Sequence, residues 1–343
     1  MIDVRSDTVT QPTPHMRQAM LAAEVGDDFY GLDPTVNALQ RIAAQRLEKE
    51  SALLMPSGTM ANAAALLSHT HPGESVIMER TAHVYQCEAG HMAAIAGVLP
   101  AVIPGDRGVL PPEAIEAAVI EEDVVSATTS LIWIENTHNA GGGTCTDVAT
   151  MAATRSVADK YGLRIHIDGE RIFHAAVALG VSVADLVADA DSVQFGLSKG
   201  LACPFGSVLL GTEAFIARAR KARQMLGGGM RQIGLLAAAG LVALEEMIDR
   251  LAEDHANARA LAEVLVAQGY DVDRSCVQTN IVYVNIPAAL GDPGAVVEEL
   301  GRHGIAVNPP WGASRRIRMV THYGITAEDI AEILTVTAAI ARQ

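Results

Sequence analysis

Lys199 is the only charged residue between positions 192 and 211, and it stands between Ser198 and Gly200. An ammonium group among small and apolar residues loses hydration, and full burial lowers a lysine pKa by about 3–5 units. A lysine in its neutral form is a nucleophile that condenses with an aldehyde to a Schiff base. Upstream, Asp168 closes the run Ile165-His166-Ile167-Asp168. Alternation puts Ile165 and Ile167 on one strand face and His166 and Asp168 on the other. The carboxylate then emerges at the C-terminal end of the strand, where open α/β sheets bind ligands. An aldehyde cofactor with a ring nitrogen, pyridoxal phosphate, needs both an amine and an acidic partner. A loop lysine snorkelling beside a satisfied strand-end aspartate describes the same pair without chemistry.

Other groups carry a chemical and a structural description side by side. Ser57-Gly58-Thr59 stands where a short apolar run enters a helix, so its amides can cradle a phosphate or merely cap the helix. His83 follows an expected strand, and as an imidazole it can stack on a flat ring and exchange protons near neutrality. With 11 histidines in the chain, most have other duties. Arg171, three residues after Asp168, can reach an anionic oxygen or pair with that aspartate. Arg231 follows Gly227-Gly228-Gly229-Met230, a hinge or an anion-binding loop. Arg318 lies on a tail strand among Ile317, Met319 and Val320, where an arginine calls for a bidentate carboxylate or an inter-domain salt bridge. Gly196-Leu197-Ser198-Lys199-Gly200 also matches the G-x-S-x-G elbow of α/β hydrolases, which demands a helix directly after the serine. Pro204 and Gly206 oppose that helix, since an interior proline costs about 3 kcal/mol.

The elements that must position these groups alternate between strand-like and helix-like. Strands are expected at 52–55, 75–78, 131–135, 163–168, 193–197 and 207–210. Asp33-Pro34 is an N-cap with proline at the first helical position, and Asp147 caps a helix to Tyr161. After Gly229 the pattern is helical toward Gln268, with Gly269 as terminator. The tail is read as strand (280–286), helix (293–303), strand (317–321) and helix (326–341), with Thr326 and Asp329 as a capping box. This is an α/β chain with a mostly parallel central sheet, divided into a large unit at 16–247 and a small α+β unit from 248–343 joined by 1–15. A net charge of −15 argues against nucleic acid or anionic membrane as a general partner. Four cysteines without a C-x-x-C pair argue against zinc or a disulfide framework and suit a reducing compartment. The longest uncharged apolar segment, 89–105, is cut by Pro100 and Pro104 and falls short of the roughly 20 residues a membrane span needs. The charged N-terminus lacks the apolar core of a signal peptide. No metal site is indicated.

Taken in order, the motifs resemble those of the low-specificity L-threonine aldolase family, within the fold-type-I pyridoxal-phosphate enzymes and close to the β-eliminating lyases. They are Arg5-Ser6-Asp7-Thr8-Val9-Thr10, Gly26-Asp27-Asp28-Phe29-Tyr30-Gly31, Asp33-Pro34-Thr35-Val36-Asn37 and Pro56-Ser57-Gly58-Thr59-Met60-Ala61-Asn62. Glu135-Asn136-Thr137-His138-Asn139, Ile167-Asp168-Gly169, Leu197-Ser198-Lys199-Gly200, Gly227-Gly228-Gly229-Met230-Arg231-Gln232 and Arg318-Met319-Val320-Thr321-His322 complete the series.

The resemblance implies a Schiff-base role for Lys199, a ring-nitrogen partner in Asp168, ring stacking by His83, and a phosphate cup at Gly58 and Thr59. It assigns Ser6, Arg171 and Arg318 to the substrate carboxylate, with Arg171 also close to the cofactor. Arg231 and Tyr30 fall in motifs near subunit contacts, which implies that Arg231 reaches a cofactor and Tyr30 a substrate in sites shared between chains of a homotetramer. The implied reaction is reversible cleavage of L-threonine or L-allo-threonine to glycine and acetaldehyde in the cytoplasm, with His83 as base for the β-hydroxyl. β-Elimination, transamination and a non-catalytic binding protein are the alternatives. Two positions depart from the family pattern. Glu170 replaces the alanine of D-G-A-R, adding negative charge near the cofactor, and residues 123–127 lack the histidine that family members can carry there.

Overall fold

A computed structural model describes residues 1–342. Its centre is a seven-stranded sheet in the spatial order Ser51–Met55, Ser207–Gly211, Ser192–Gly196, Arg164–Asp168, Thr129–Glu135, Ser75–Glu79, Leu99–Ile103. Ser207–Gly211 is antiparallel to both neighbours, and every other pairing is parallel. Strict alternation sorts the strand residues onto two buried faces. Ile132, Ile134, Ile165, Ile167, Val193 and Phe195 face one apolar cluster. Leu53, Met55, Val76, Met78, Leu131, Trp133 and Leu209 face the other. His166 joins the second face, its ring 4.4 Å from that of Trp133. Three parallel strands, Thr129–Glu135, Arg164–Asp168 and Ser192–Gly196, therefore end on one edge, and that edge carries Glu135, Asp168 and the turn to Lys199.

The strands at 52–55, 75–78, 131–135, 163–168, 193–197 and 207–210 form within a residue or two of expectation, as do the four tail elements. The Thr326–Asp329 capping box is present in both directions. Two expectations need correction. Leu99–Ile103 is a strand although it contains Pro100; it lies at the sheet edge, the position where a missing N–H is tolerated. The helical pattern after Gly229 is two helices, Gly234–Glu246 and Leu251–Ala267. Neither glycine nor proline marks the break. Arg250 turns back onto Asp254 of the second helix, 2.5 Å away, and from Ala258 onward that helix packs on a different cluster, while Leu251 stays with the first. Ile2 and Val4 share this third cluster with residues from Ala258 to Ile340, and Ile2 pairs in parallel with Ile305. The separate cluster supports the division near residue 247, which we propose. Among the described residues, no helix is long and apolar enough to cross a membrane.

Asp33 ties the helices flanking the sheet together. Fully buried, its Oδ1 accepts the amides of Thr35 and Val36, and its Oδ2 accepts those of Gly26 and Gly234. Asp33→Ala strands four backbone donors and is expected to cost about 2–4 kcal/mol, read as a lower urea midpoint. An unchanged midpoint contradicts this account.

Candidate active site

Asp168 sits level with Glu135 on one side and Gln194 on the other. It is 3% exposed. Gln194 Nε2 donates to Oδ1 at 2.6 Å, and Asn62 Nδ2 donates to Oδ2 at 2.9 Å. Both donors are neutral amides, and no lysine or arginine among the described residues pairs with it. Burial, then the neighbouring Glu135 charge, push its carboxyl above the ordinary range, with His83 and the two amides opposing. A buried carboxylate without a counter-charge is costly, so the site fits a cationic N–H.

Asp168 lines a cavity of about 220 Å³ together with Gly58, Thr59, Asn62, His83, Glu170 and Lys199. Ser57 caps the Gly58–His69 helix by accepting the Met60 amide. No protein acceptor among the described residues answers the amides of Gly58 and Thr59, which leaves them free for an anion. Lys199 is held by a turn in which Ala202 N–H donates to its carbonyl and Cys203 N–H to that of Leu197. Thr10 Oγ1 also donates to the Lys199 carbonyl. Its ammonium is 3.3 Å from Glu170 Oε1. No helix follows Ser198; turns lead straight into Ser207–Gly211, so the hydrolase elbow is absent.

His83 begins the short His83–Gln86 helix after the Ser75–Glu79 strand. Its backbone N–H donates to Glu135 Oε2 at 2.6 Å and its Nδ1 lies 2.7 Å from Glu88 Oε1. Glu88 raises the His83 pKa by this hydrogen bond, against burial. Asn62 Nδ2 bridges Glu88 and Asp168. Glu135 is oriented in turn by the Asn139 amide, with buried His138 behind it, 3.3 Å from Glu79 and 3.8 Å from Glu135. Burial works against the Glu79 anion, yet hydrogen bonds from His138 and Thr81 hold its pKa at about 2. His83, Glu88 and Asp168 offer ligand atoms within 4.8 Å of one another, a cluster that spacing in the sequence does not reveal. Asn62 donates to both carboxylates and His83 Nδ1 lies against Glu88 Oε1, while Glu88 Oε2 has no hydrogen-bond partner among the described residues.

The remaining expected residues are distributed around this centre. Arg171 lines the cavity, but its Nε and Nη2 are taken by Asp7 at 2.7 Å each, not by Asp168. Ser6 caps the adjoining turn through the Thr8 amide. Among the described residues no carboxylate pairs with Arg318, neither bidentately nor as a salt bridge; its Nη1 donates to Asn139 Oδ1 at 2.8 Å, and Asn139 lines the cavity. Arg231 and Tyr30 stand outside the lining of this chain's cavity: Arg231 pairs with Asp27 and lies over the Phe29 ring, while Tyr30 is 70% exposed. Asn62, Glu88, Gln194 and Asp7 were not singled out from sequence. Asn62 follows Gly58 by four residues on one helix face, and Gln194 shares a strand face with Ser192; these spacings were legible. Nothing in the sequence marks Glu88 as buried.

The seven-stranded, mostly parallel sheet carries a lysine and a buried carboxylate at one edge, and the Beta-eliminating lyase family matches residues 3–287, which places the chain among lyases. Low-specificity L-threonine aldolase 1 of Arabidopsis thaliana is 42% identical over 337 residues, 96% of this chain and 93% of that protein. The low specificity L-threonine aldolase of Escherichia coli K12 is 43% identical over 334 residues, 97% of each. The structure of Leishmania major threonine aldolase superposes with a TM-score of 0.86 at 20% identity, covering 99% of this chain and 100% of that one, a likeness of fold. The chain belongs to the low-specificity L-threonine aldolase family.

Asp7 and Arg171 are both buried. Burial opposes the Asp7 anion, but Arg171 outweighs it and holds the carboxyl far below its ordinary 3.8. The pair's contribution is thus fully present above that ordinary value and fades only as pH falls toward the folded one. Asp7→Ala leaves the guanidinium uncompensated and is expected to cost about 3–5 kcal/mol in urea unfolding, equally at pH 6 and pH 8. A loss that differs between those two pH values refutes the assignment.

Proposed function

We propose that this chain is a pyridoxal-5'-phosphate-dependent aldolase that splits β-hydroxy-α-amino acids, L-threonine and L-allo-threonine among them, reversibly into glycine and an aldehyde. The observation that carries the reading is the buried Asp168 carboxylate, lacking any cation of its own, on the wall of the cavity that Lys199 also lines. Bound pyridoxal phosphate supplies an electron sink for the pair released when Cα–Cβ opens. Lys199 provides the amine that holds it, Asp168 keeps its ring nitrogen protonated, and Gly58 and Thr59 offer their free amides to its phosphate. His83 provides the stacking face. Arg318, half-buried without a carboxylate partner, is suited with Ser6 and Arg171 to hold the substrate carboxylate. Fixing that group aligns Cα–Cβ for cleavage.

His83 takes the β-hydroxyl proton. With Nδ1–H directed to Glu88, its Nε2 lone pair is the free acceptor. Phe29 and Tyr30 leave apolar surface exposed beside Arg231, which supports a homotetramer in which Tyr30 and Arg231 serve a neighbouring copy's cavity. Four unpaired cysteines support a cytoplasmic location.

Threonine is expected to yield acetaldehyde and glycine; ammonia and a keto acid instead assign the chain to β-elimination. With pyridoxal phosphate the wild type turns yellow, whereas Lys199→Ala lacks the lysine-bound band and loses at least about a thousandfold in rate. A colourless wild type refutes the reading. A base must be neutral, so activity rises as pH passes a His83 pKa that Glu88 holds above 6.5. Glu88→Gln removes the stabilising charge, and the rising limb of kcat is expected to move down by about one pH unit. An unmoved limb removes His83 from the role.

A further inference from the structure

The side chain of Glu170 points into the proposed cofactor cavity and serves no step of the reaction described above. Its Oε1 is 3.3 Å from Lys199 Nζ, and each of these side chains is only 18% exposed. Its Oε2 accepts from Gln194 Nε2 at 3.1 Å, the nitrogen that also donates to Asp168 at 2.6 Å. The carboxylate fills a slot made by two glycines: a Cβ on Gly58 lies 2.3 Å from Oε2, and one on Gly196 lies 2.3 Å from Oε1. An anion is therefore already lodged beside the first residue of the Gly58–His69 helix, where the amides of Gly58 and Thr59 have no protein acceptor.

We propose that Glu170 is an affinity determinant of this chain that works against the phosphate of its cofactor. The proposal rests on the reading of Gly58 and Thr59 as the phosphate cup. A phosphate monoester carries about 1.5 to 2 negative charges at neutral pH. Placed in that cup, it meets the Glu170 carboxylate across a site sheltered from water, where charges are weakly screened. Arg171 offsets this only in part, because Asp7 takes two of its nitrogens and shares its charge. Lys199 pairs with Glu170 as an ammonium with three N–H donors, and attachment to an aldehyde leaves that nitrogen at most one. Glu170 is then left with a weakened ion pair and a half-share of one amide. Either the carboxylate stays and repels the phosphate, or it swings out and gives up its glycine slot. Both routes weaken retention of the phosphorylated cofactor more than that of its unphosphorylated analogue.

The test compares pyridoxal phosphate with pyridoxal. Both are titrated into resolved wild type, Glu170→Gln and Glu170→Ala at fixed ionic strength, with absorbance of the bound aldehyde and quenching of protein fluorescence as readouts. Glu170→Gln keeps the shape and removes the charge. It is expected to bind pyridoxal phosphate about tenfold tighter or more, while pyridoxal gains less than about threefold. Added salt should narrow the gap between variant and wild type. Glu170→Ala should show the same preference, which guards against a packing effect of the amide. Equal or weaker binding of pyridoxal phosphate by Glu170→Gln overturns the proposal, as does an equal gain for both ligands. Wild type that binds neither ligand overturns the reading of the cup along with it; binding with an unchanged ratio overturns the role of Glu170 alone.

Discussion

The site depends on a carboxylate sealed from water with only neutral donors around it. Asp168 accepts from two amides, Asn62 and Gln194, which satisfy lone pairs without cancelling charge. Hydrogen bonds of this kind lower the cost of the anion but do not remove it. Glu135 lies level with it on the next strand, and Glu88 is joined to it through Asn62. Each added anion raises the cost further. The cavity is electrostatically incomplete as folded, which is the ground on which we propose a protonated ring nitrogen for it. Sheet register sets this arrangement, since three parallel strands deliver Glu135, Asp168 and Gln194 side by side.

The surrounding acids are kept from competing for that role by separate assignments. Glu135 accepts the backbone amides of His83 and Asn139, so its charge organises loops. Glu79 is committed to Thr81 and His138. Glu88 takes the His83 ring, and Asp7 takes Arg171. Each anion has a donor of its own that it cannot leave cheaply. Asp168 alone holds both lone-pair directions on side-chain amides, which are weaker claimants than an incoming cation.

The order of strands and helices was legible because hydrophobic alternation and caps are local signals. Ile165 and Ile167 against His166 and Asp168 gave the face on which the carboxylate emerges, and Asp33, Asp147 and Thr326 gave helix starts. The pairs that orient the site were not legible for the opposite reason. Asp7 meets Arg171 across 164 residues of sequence, and Asn62 meets Asp168 across 106; neither partner carries a mark of the other. Arg171 therefore read as a neighbour of Asp168. The helix break before Leu251 escaped notice because it is imposed by two cores pulling one apolar pattern apart, with no glycine or proline to record it. Tyr30 and Arg231 lie beyond the reach of a single chain's cavity.

The diversion of Arg171 to Asp7 has a mechanical consequence. Asp7 belongs to the N-terminal segment, and its Oδ2 also accepts from Asn280 Nδ2 at 3.3 Å, next to the tail strand Ile281–Asn285. Thr10, three residues on, donates to the Lys199 carbonyl. Behind them His174 and His255 share a 2.9 Å hydrogen bond between the Ile172–Leu179 and Leu251–Ala267 helices, with burial lowering the pKa of each ring. The turn that bears Lys199 is thus braced from the side where N-terminus and tail meet. Chain that belongs to the other core therefore packs against two of the residues that line the cavity, Arg171 and Lys199. The placement of Lys199 and the packing of the tail are coupled through these few contacts. That coupling explains why an N-terminal segment with hardly any regular structure bears so many buried polar groups.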